Sequence, residues 1–260
     1  MPAASRSVPL LEHGALILAY LRGVTLPLQS VAWTIIEERR RARNDEFMLR
    51  PNVVLWACAA CGGGENELSD ALPVAAAFDL FDRFMLLHDE LVEEDASGGA
   101  AAEPVVMRWG LGQSLNAGDA LYAMALRALA QDVGNAERRL QAASLTARAV
   151  LDAIEGRSTD VERGVRGTSL LSRVRSMRRR SAALTGAALE SGALVAGAPQ
   201  AVCREFNRAG RLLAAAAQSG DAALARRLAE KSVASIARCI PEPRQLHVFE
   251  DIVRHVTKPA

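Results

Sequence analysis

The chain has 260 residues, half of them hydrophobic and only 4% aromatic, with a formal net charge of +1. So neutral a balance removes the basic surface that nucleic acid demands, and the apolar stretches are broken by Arg22, Gly62-Gly63-Gly64, Glu190 or Pro199 before they reach the roughly 20 residues that span a bilayer. Alanine and leucine outweigh valine, isoleucine and tyrosine, which favours helices over strands.

Met1 to Leu16 places Arg6, Glu12 and His13 around a short apolar patch, a poor secretory signal, so a cytoplasmic protein is expected. Helical periodicity then recurs over 10–43, 51–62, 69–94, 114–132, 134–156, 168–197, 200–217, 221–237 and 243–256. Gly62-Gly63-Gly64, Ala96-Ser97-Gly98-Gly99, Ala198-Pro199 and Pro241-Glu242-Pro243 punctuate it. No interval between them alternates as a strand would, and nothing in the middle has the composition of a linker. The expectation is an all-α bundle forming a single domain over 1–260, with any site in its core between facing helices.

Cys58 and Cys61 form one Cys-x-x-Cys, but Cys203 and Cys239 are far away in sequence and no histidine pair has zinc spacing. Buried thiols acting as small hydrophobes are the reading adopted.

The most informative stretch is Leu87-His88-Asp89-Glu90-Leu91-Val92-Glu93-Glu94-Asp95. Asp89 and Glu93 are four apart, so on a helix they lie on one face about 5 Å from each other. Carboxylate oxygens suit Mg²⁺, which is commonly shared between one or two protein carboxylates and a substrate phosphate. An acidic cluster at a helix end can equally be a solvated face. Against that stands the run from Leu72 to Leu87, apolar except mainly for Asp79, Asp82 and Arg83: a buried helix rarely ends in several acids without a cation nearby.

Six segments, in order, resemble those of the trans-polyprenyl synthases, the all-helical class I prenyltransferases. Leu49-Arg50-Pro51 resembles the end of that family's Gly-Lys-Arg-Leu-Arg-Pro segment, Leu86 to Glu93 its first aspartate-rich motif, and Asn116-Ala117-Gly118-Asp119-Ala120-Leu121 its Asn-Ala-Gly-Asp-x-Leu helix start. Gly156 to Asp160 sits where the family has Gly-Gln-x-x-Asp, Arg180-Ser181-Ala182 where it has Lys-Thr-Gly, and Ala217 to Asp221 where it has Phe-Gln-x-x-Asp. The resemblance implies an isoprenoid-synthase bundle with a central apolar cavity, Mg²⁺ as cofactor, an allylic diphosphate donor and a homodimer. It implies chemistry in which the diphosphate departs and an alkene attacks the developing allyl cation.

On that mapping Asp89, Glu90, Glu93 and Asp221 are metal ligands, with Glu for Asp at two places in the first motif. Asp89 and Glu93 would act in catalysis with Arg180, which replaces the family's diphosphate-binding lysine or else belongs to a solvated Arg178-Arg179-Arg180 run. Arg50 and Gln218 fall at substrate-binding positions. Phe84 and Met85, five and four residues before the motif, would floor the chain cavity and favour a short donor, although Phe84 can also be read as simple helix packing. His88 is read as a residue oriented beside the metal site, and Asn116 and Asp119 as a cap and first turn.

The departures concern the acceptor. Aligned back from Pro51, the family's lysine and first arginine become Phe47 and Met48; aligned back from Asp89, its histidine becomes Asp82; and its Arg-Arg-Gly is replaced by the Gly98 to Ala102 region. By resemblance those basic groups hold isopentenyl diphosphate. In the second acidic motif Asp221 persists while Ala222 and Ala225 replace acids. An apolar surface with Phe47 and Met48 suits a hydrocarbon acceptor such as a prenylated lipid. The pattern of loss is similar to the branch of the family that joins geranyl to the farnesyl chain of a phosphoglycolipid in moenomycin-type antibiotic biosynthesis. Peripheral membrane contact would then come through the acceptor. A class I terpene cyclase and a non-catalytic partner subunit stay open beside the transferase.

Overall fold

The computed structural model describes residues 16–21, 23, 34, 49–92, 105–131, 134–165 and 170–257. Among these the regular elements are helices: a helical segment at 16–21, then α1 (Leu49–Ala60), α2 (Glu65–Val92), α3 (Val105–Leu129), α4 (Ala136–Val165), α5 (Leu170–Val195), α6 (Gln200–Ala217), α7 (Ala222–Ile236) and α8 (Pro243–Val256). The all-α expectation holds. Phe47, Met48, Glu93 and the Gly98 to Ala102 region lie outside the described residues, as does most of the helix expected over 10–43.

The helix α5 is central, packed against α1, α2, α4 and α6. It gets close because glycine stands at the crossings. A Cβ on Gly192 would lie 2.1 Å from the Val54 carbonyl oxygen of α1, and one on Gly210 of α6 would lie 2.4 Å from the Thr185 carbonyl oxygen of α5. The interior of α2 achieves the same with fully buried Ala71, Ala75, Ala76 and Ala77. Across α1, α6 and α8 the core is aromatic instead: Trp56 stacks on Phe206 at 5.8 Å and on Phe249 at 4.7 Å between centroids. Its indole N–H, which would be costly to bury unpaired, donates to the Gln245 carbonyl at 3.2 Å.

Three expectations from periodicity need correction. The helix expected over 114–132 starts just after Gly110, whose φ 75° and ψ 162° are not helical and kink α3 between a short segment from Val105 and the longer helix that follows. Asn116 and Asp119 are therefore inside α3, not at its start. The helix expected to stop at Gly156 continues to Val165 as α4; one interior glycine costs about 1 kcal/mol, which packing offsets. The helix expected from 69 starts at Glu65, where Glu67 Oε2 accepts from Gly64 N–H at 3.1 Å, and runs through Pro73.

Short connections make sequential helices antiparallel. The start of α1, end of α2, start of α3, end of α4, start of α5, end of α6 and start of α7 consequently share one end of the bundle. The opposite end collects all four cysteines: Cys58 and Cys61 at the end of α1, Cys203 in the first turn of α6 and Cys239 after α7.

Candidate active site

The last turns of α2 carry the acidic cluster, and its neighbours there are cations. Asp89 Oδ1 lies 3.0 Å from Arg157 Nε of α4 and 3.5 Å from Arg180 Nη1 of α5. Arg157 Nη2 also donates to the Asp89 carbonyl at 3.1 Å. In the basic run Arg179 is exposed, whereas the Arg180 side chain turns inward with 12% exposure. Glu90 Oε2 accepts from Val105 N–H at 3.4 Å, the first residue of α3, where an acid also meets the positive end of the helix dipole.

One position before Asp89, His88 lies against Gly118. A Cβ there would lie 2.2 Å from His88 Nε2, so the glycine of the Asn116 to Leu121 motif gives the imidazole its space. Phe84 lies 4.5 Å from the His88 ring and 5.4 Å from Tyr122, which also meets Phe81 at 5.5 Å. Burial lowers the His88 pKa, with Asp119 and Asp89 pulling it back up, and its buried Nε2 has no hydrogen bond among the described residues. Phe84 thus packs between α2 and α3, and Met85 lies half-buried against the core.

The three charged residues that interrupt the apolar run of α2 also have partners. Asp79 and Arg83 pair one turn apart, at 2.7 and 3.0 Å. Asp82 forms an ion pair with Arg50 of α1, the two side chains being 21% and 19% exposed, and Arg50 Nη2 donates to Ser181 Oγ at 3.2 Å. Burial pushes the Asp82 carboxyl up, with Arg50 pulling it back. The arginine left from the Leu49-Arg50-Pro51 motif is therefore occupied by the acid standing in for the family's histidine.

Across the same end of the bundle Gln218 closes α6, its N–H bonded to the Ala214 carbonyl at 3.2 Å. Asp221 is exposed and caps α7, its Oδ1 accepting from Ala223 and Leu224 N–H at 2.8 and 3.1 Å. Among the described residues no three His, Cys, Asp or Glu side chains are placed to hold a metal ion together. Asp89, Glu90 and Asp221 are each engaged separately, and Glu93 falls outside the described residues. The donor set beside Asp89, a hard carboxylate oxygen with two guanidiniums, nonetheless fits a Mg²⁺–diphosphate pair, with oxygen for the cation and guanidinium for phosphate.

The profile of the polyprenyl synthetase family matches residues 47–225. The chain belongs to this family. It is 33% identical over 198 residues to a geranylgeranyl diphosphate synthase of Mycobacterium tuberculosis (strain ATCC 25618 / H37Rv), covering 74% of this chain and 53% of that one. A (2E,6E)-farnesyl diphosphate synthase of Mycobacterium bovis is 32% identical over 190 residues, 71% and 51% of the two chains. The chain spans about half the length of these relatives. Its fold is that of the polyprenyl synthase from Caulobacter crescentus CB15 solved with calcium and isoprenyl diphosphate, at 20% identity, TM-score 0.76 and full coverage of both chains. A geranylgeranyl pyrophosphate synthetase from Geoglobus acetivorans superposes with TM-score 0.81 at 15% identity, over 96% of this chain and all of that one.

The polyprenyl synthetases are prenyltransferases, and within this family one residue escaped sequence reasoning. Arg157 is in the Gly156 to Asp160 segment, yet nothing marked it as a partner of Asp89, 68 positions away. The available signal was its charge: an arginine stands where the resemblance implies glutamine.

Proposed function

We propose that this chain is a Mg²⁺-dependent prenyltransferase that moves a short allylic group, geranyl from geranyl diphosphate, onto a hydrophobic prenylated acceptor. The observation that carries the reading is the Arg50–Asp82 ion pair. Of the four basic positions traced at 47, 48, 50 and 82, only Arg50 is still basic, and its charge is answered from within the protein. An isopentenyl diphosphate entering there would have to displace a shielded carboxylate and then lie beside it, and burying like charges together is strongly unfavourable. An acceptor whose reacting end is hydrocarbon meets no such barrier, and Phe47 and Met48 would extend its apolar surface.

At the donor end the charges are reversed in kind. Arg180 and Arg157 would bind the diphosphate oxygens, while Asp89 and Glu93 would hold the metal, with Glu90 close by. Bound Mg²⁺ supplies neutralisation of the charge on the departing diphosphate. The chain's own contribution is to orient the donor and to exclude water from the developing cation with apolar walls. Phe84 and Met85 would limit the donor to about ten to fifteen carbons in that cavity, whose floor the bulk of an aromatic ring sets. The acceptor we assign is the farnesyl chain of a phosphoglycolipid of the moenomycin type, reached by a cytoplasmic homodimer that touches the membrane only through this lipid.

The test is an assay with Mg²⁺ in which geranyl and farnesyl diphosphates are offered alone, with isopentenyl diphosphate, and with a prenylated phosphoglycolipid, products being read by mass spectrometry. A geranyl mass gain on the lipid, lost in Asp89→Ala, is the expected result. Asp82→His, which frees Arg50 and restores the family's residue, is expected to bring isopentenyl diphosphate elongation into view. Elongation by the wild-type chain would overturn the acceptor reading. Hydrocarbon from donor alone would indicate a cyclase, and no product in any tube would indicate a partner subunit.

A further inference from the structure

The carboxylate expected to bind a cation already has two. Both guanidiniums converge on the same oxygen, Asp89 Oδ1, from different helices, and Arg157 holds the backbone carbonyl of the same residue as well. The contacts are shielded: the side chains of Arg180, Arg157 and Asp89 are 12%, 19% and 33% exposed. A Mg²⁺ ion would need to approach a carboxylate oxygen to about 2.0–2.1 Å, in competition with the two guanidiniums at Oδ1. A divalent ion arriving alone would also meet two positive charges within a few ångströms. Diphosphate has the opposite relation to the cluster. Its oxygens match the planar fork of arginine and compete for it with a carboxylate.

We infer that Arg157 and Arg180 form a latch on Asp89 that the donor's diphosphate opens. The guanidiniums transfer from carboxylate to phosphate, and Asp89 is released to the metal ion in the same event. Arg157 is the member that reaches Asp89 twice, at its carboxylate and at its backbone carbonyl. It acts on the cation through Asp89 and is in that respect a positioning residue. The inference rests on the donor site of the proposed function. It adds that lone metal binding is suppressed and that metal and diphosphate bind with positive coupling, each raising the other's affinity by the same factor.

The test is equilibrium binding to the full chain, not turnover. Free Mn²⁺ is followed by electron paramagnetic resonance and inorganic pyrophosphate by calorimetry, each alone and together, with protein-free titrations subtracted. In the wild type Mn²⁺ alone should bind weakly and pyrophosphate should tighten it by a factor within the usual coupling range of about 5- to 150-fold. Arg157→Gln should bind Mn²⁺ alone more tightly, bind pyrophosphate alone less tightly, and show a smaller coupling factor. Arg157→Lys, which keeps the charge, should move all three values back toward the wild type, a rescue that a purely packing role would not give. Circular dichroism and the urea midpoint establish that each variant is folded. If Arg157→Gln does not fold, the same three values are read from Arg180→Gln. Equal lone-Mn²⁺ affinity in the wild type and the charge-removing glutamine variant, with unchanged coupling, would overturn the latch and leave the donor site standing. Failure of Mn²⁺ and pyrophosphate to bind even together would overturn both.

Discussion

Replacing Gly118 by alanine places a methyl carbon 2.2 Å from His88 Nε2 and 2.6 Å from its Cδ2. An ordinary contact needs about 3.5 Å, so the imidazole must retreat by more than 1 Å and disturb its packing on the Phe84 ring, whose centroid is 4.5 Å from its own. Overpacking of this kind costs about 1–3 kcal/mol, and a displacement beyond 1 Å against a ring belongs at the upper end. Alanine in place of glycine inside a helix returns about 1 kcal/mol, so the steric term wins and the net loss should be about 2 kcal/mol. For a chain of this size that lowers the melting temperature by about 4–8 °C. Gly112 on the same helix is the control, because a Cβ there meets nothing within 4 Å; its replacement by alanine should stabilise the chain by up to about 1 kcal/mol. Urea unfolding of both variants, and of Gly118→Ala combined with His88→Ala, gives the cycle. The combined variant should lose less than the sum of its parts, since the small side chain vacates the contested space. A Gly118→Ala chain at least as stable as the wild type, or strictly additive penalties, would refute the reasoning. Because His88 adjoins Asp89, the same variant should also lose the transferase activity proposed above.

Asp221→Ala should cost about 1 kcal/mol by removing the α7 cap, whereas Asp221→Asn, which still caps, should stay within a few tenths; urea midpoints measure both, and equal losses would argue against the cap. The cysteine end of the bundle gives a pH dependence. Burial pushes Cys58 and Cys61 up to about 12, and Cys61 also feels Cys203, Cys58 and Cys239. The folded chain therefore keeps protons that the unfolded chain gives up above pH 9, so stability is complete below that value and declines as pH rises toward 12. Each thiol can contribute up to about 1.4 kcal/mol per pH unit. Urea midpoints from pH 8.5 to 10.5 should fall more steeply in the wild type than in Cys61→Ala, and parallel curves would contradict the assignment. At pH 8 these thiols should also resist iodoacetamide until the chain unfolds.

What periodicity could show was the sequence of helices, because each buries one face and so repeats its apolar residues every three or four positions. It failed at glycine. Gly110 permits a positive φ that joins two helical segments, and Gly156 sits within α4, yet both resemble terminators when packing is unseen. The charged residues inside α2 were visible as exceptions to an apolar run, but not their partners. Asp82 and Arg50 are 32 positions apart and Asp89 and Arg157 are 68 apart, and pairing at such range is fixed by which helix ends the topology brings together.

The acidic end of α2 shows where that limit falls. An apolar helix that ends in several acids where water is excluded favours a neighbouring cation on electrostatic grounds alone. The identity of the cation is a different matter, because a metal ion and a guanidinium answer the same charge. Sequence spacing, with Glu93 one turn beyond Asp89, points to metal; the described structure places Arg157 and Arg180 there. The two answers conflict only if Asp89 has a single state. With a donor diphosphate able to take the guanidiniums, the arginines would answer Asp89 before the donor binds and a metal ion would answer it afterwards. The coupling between Mn²⁺ and pyrophosphate is then the quantity that decides between one state and two.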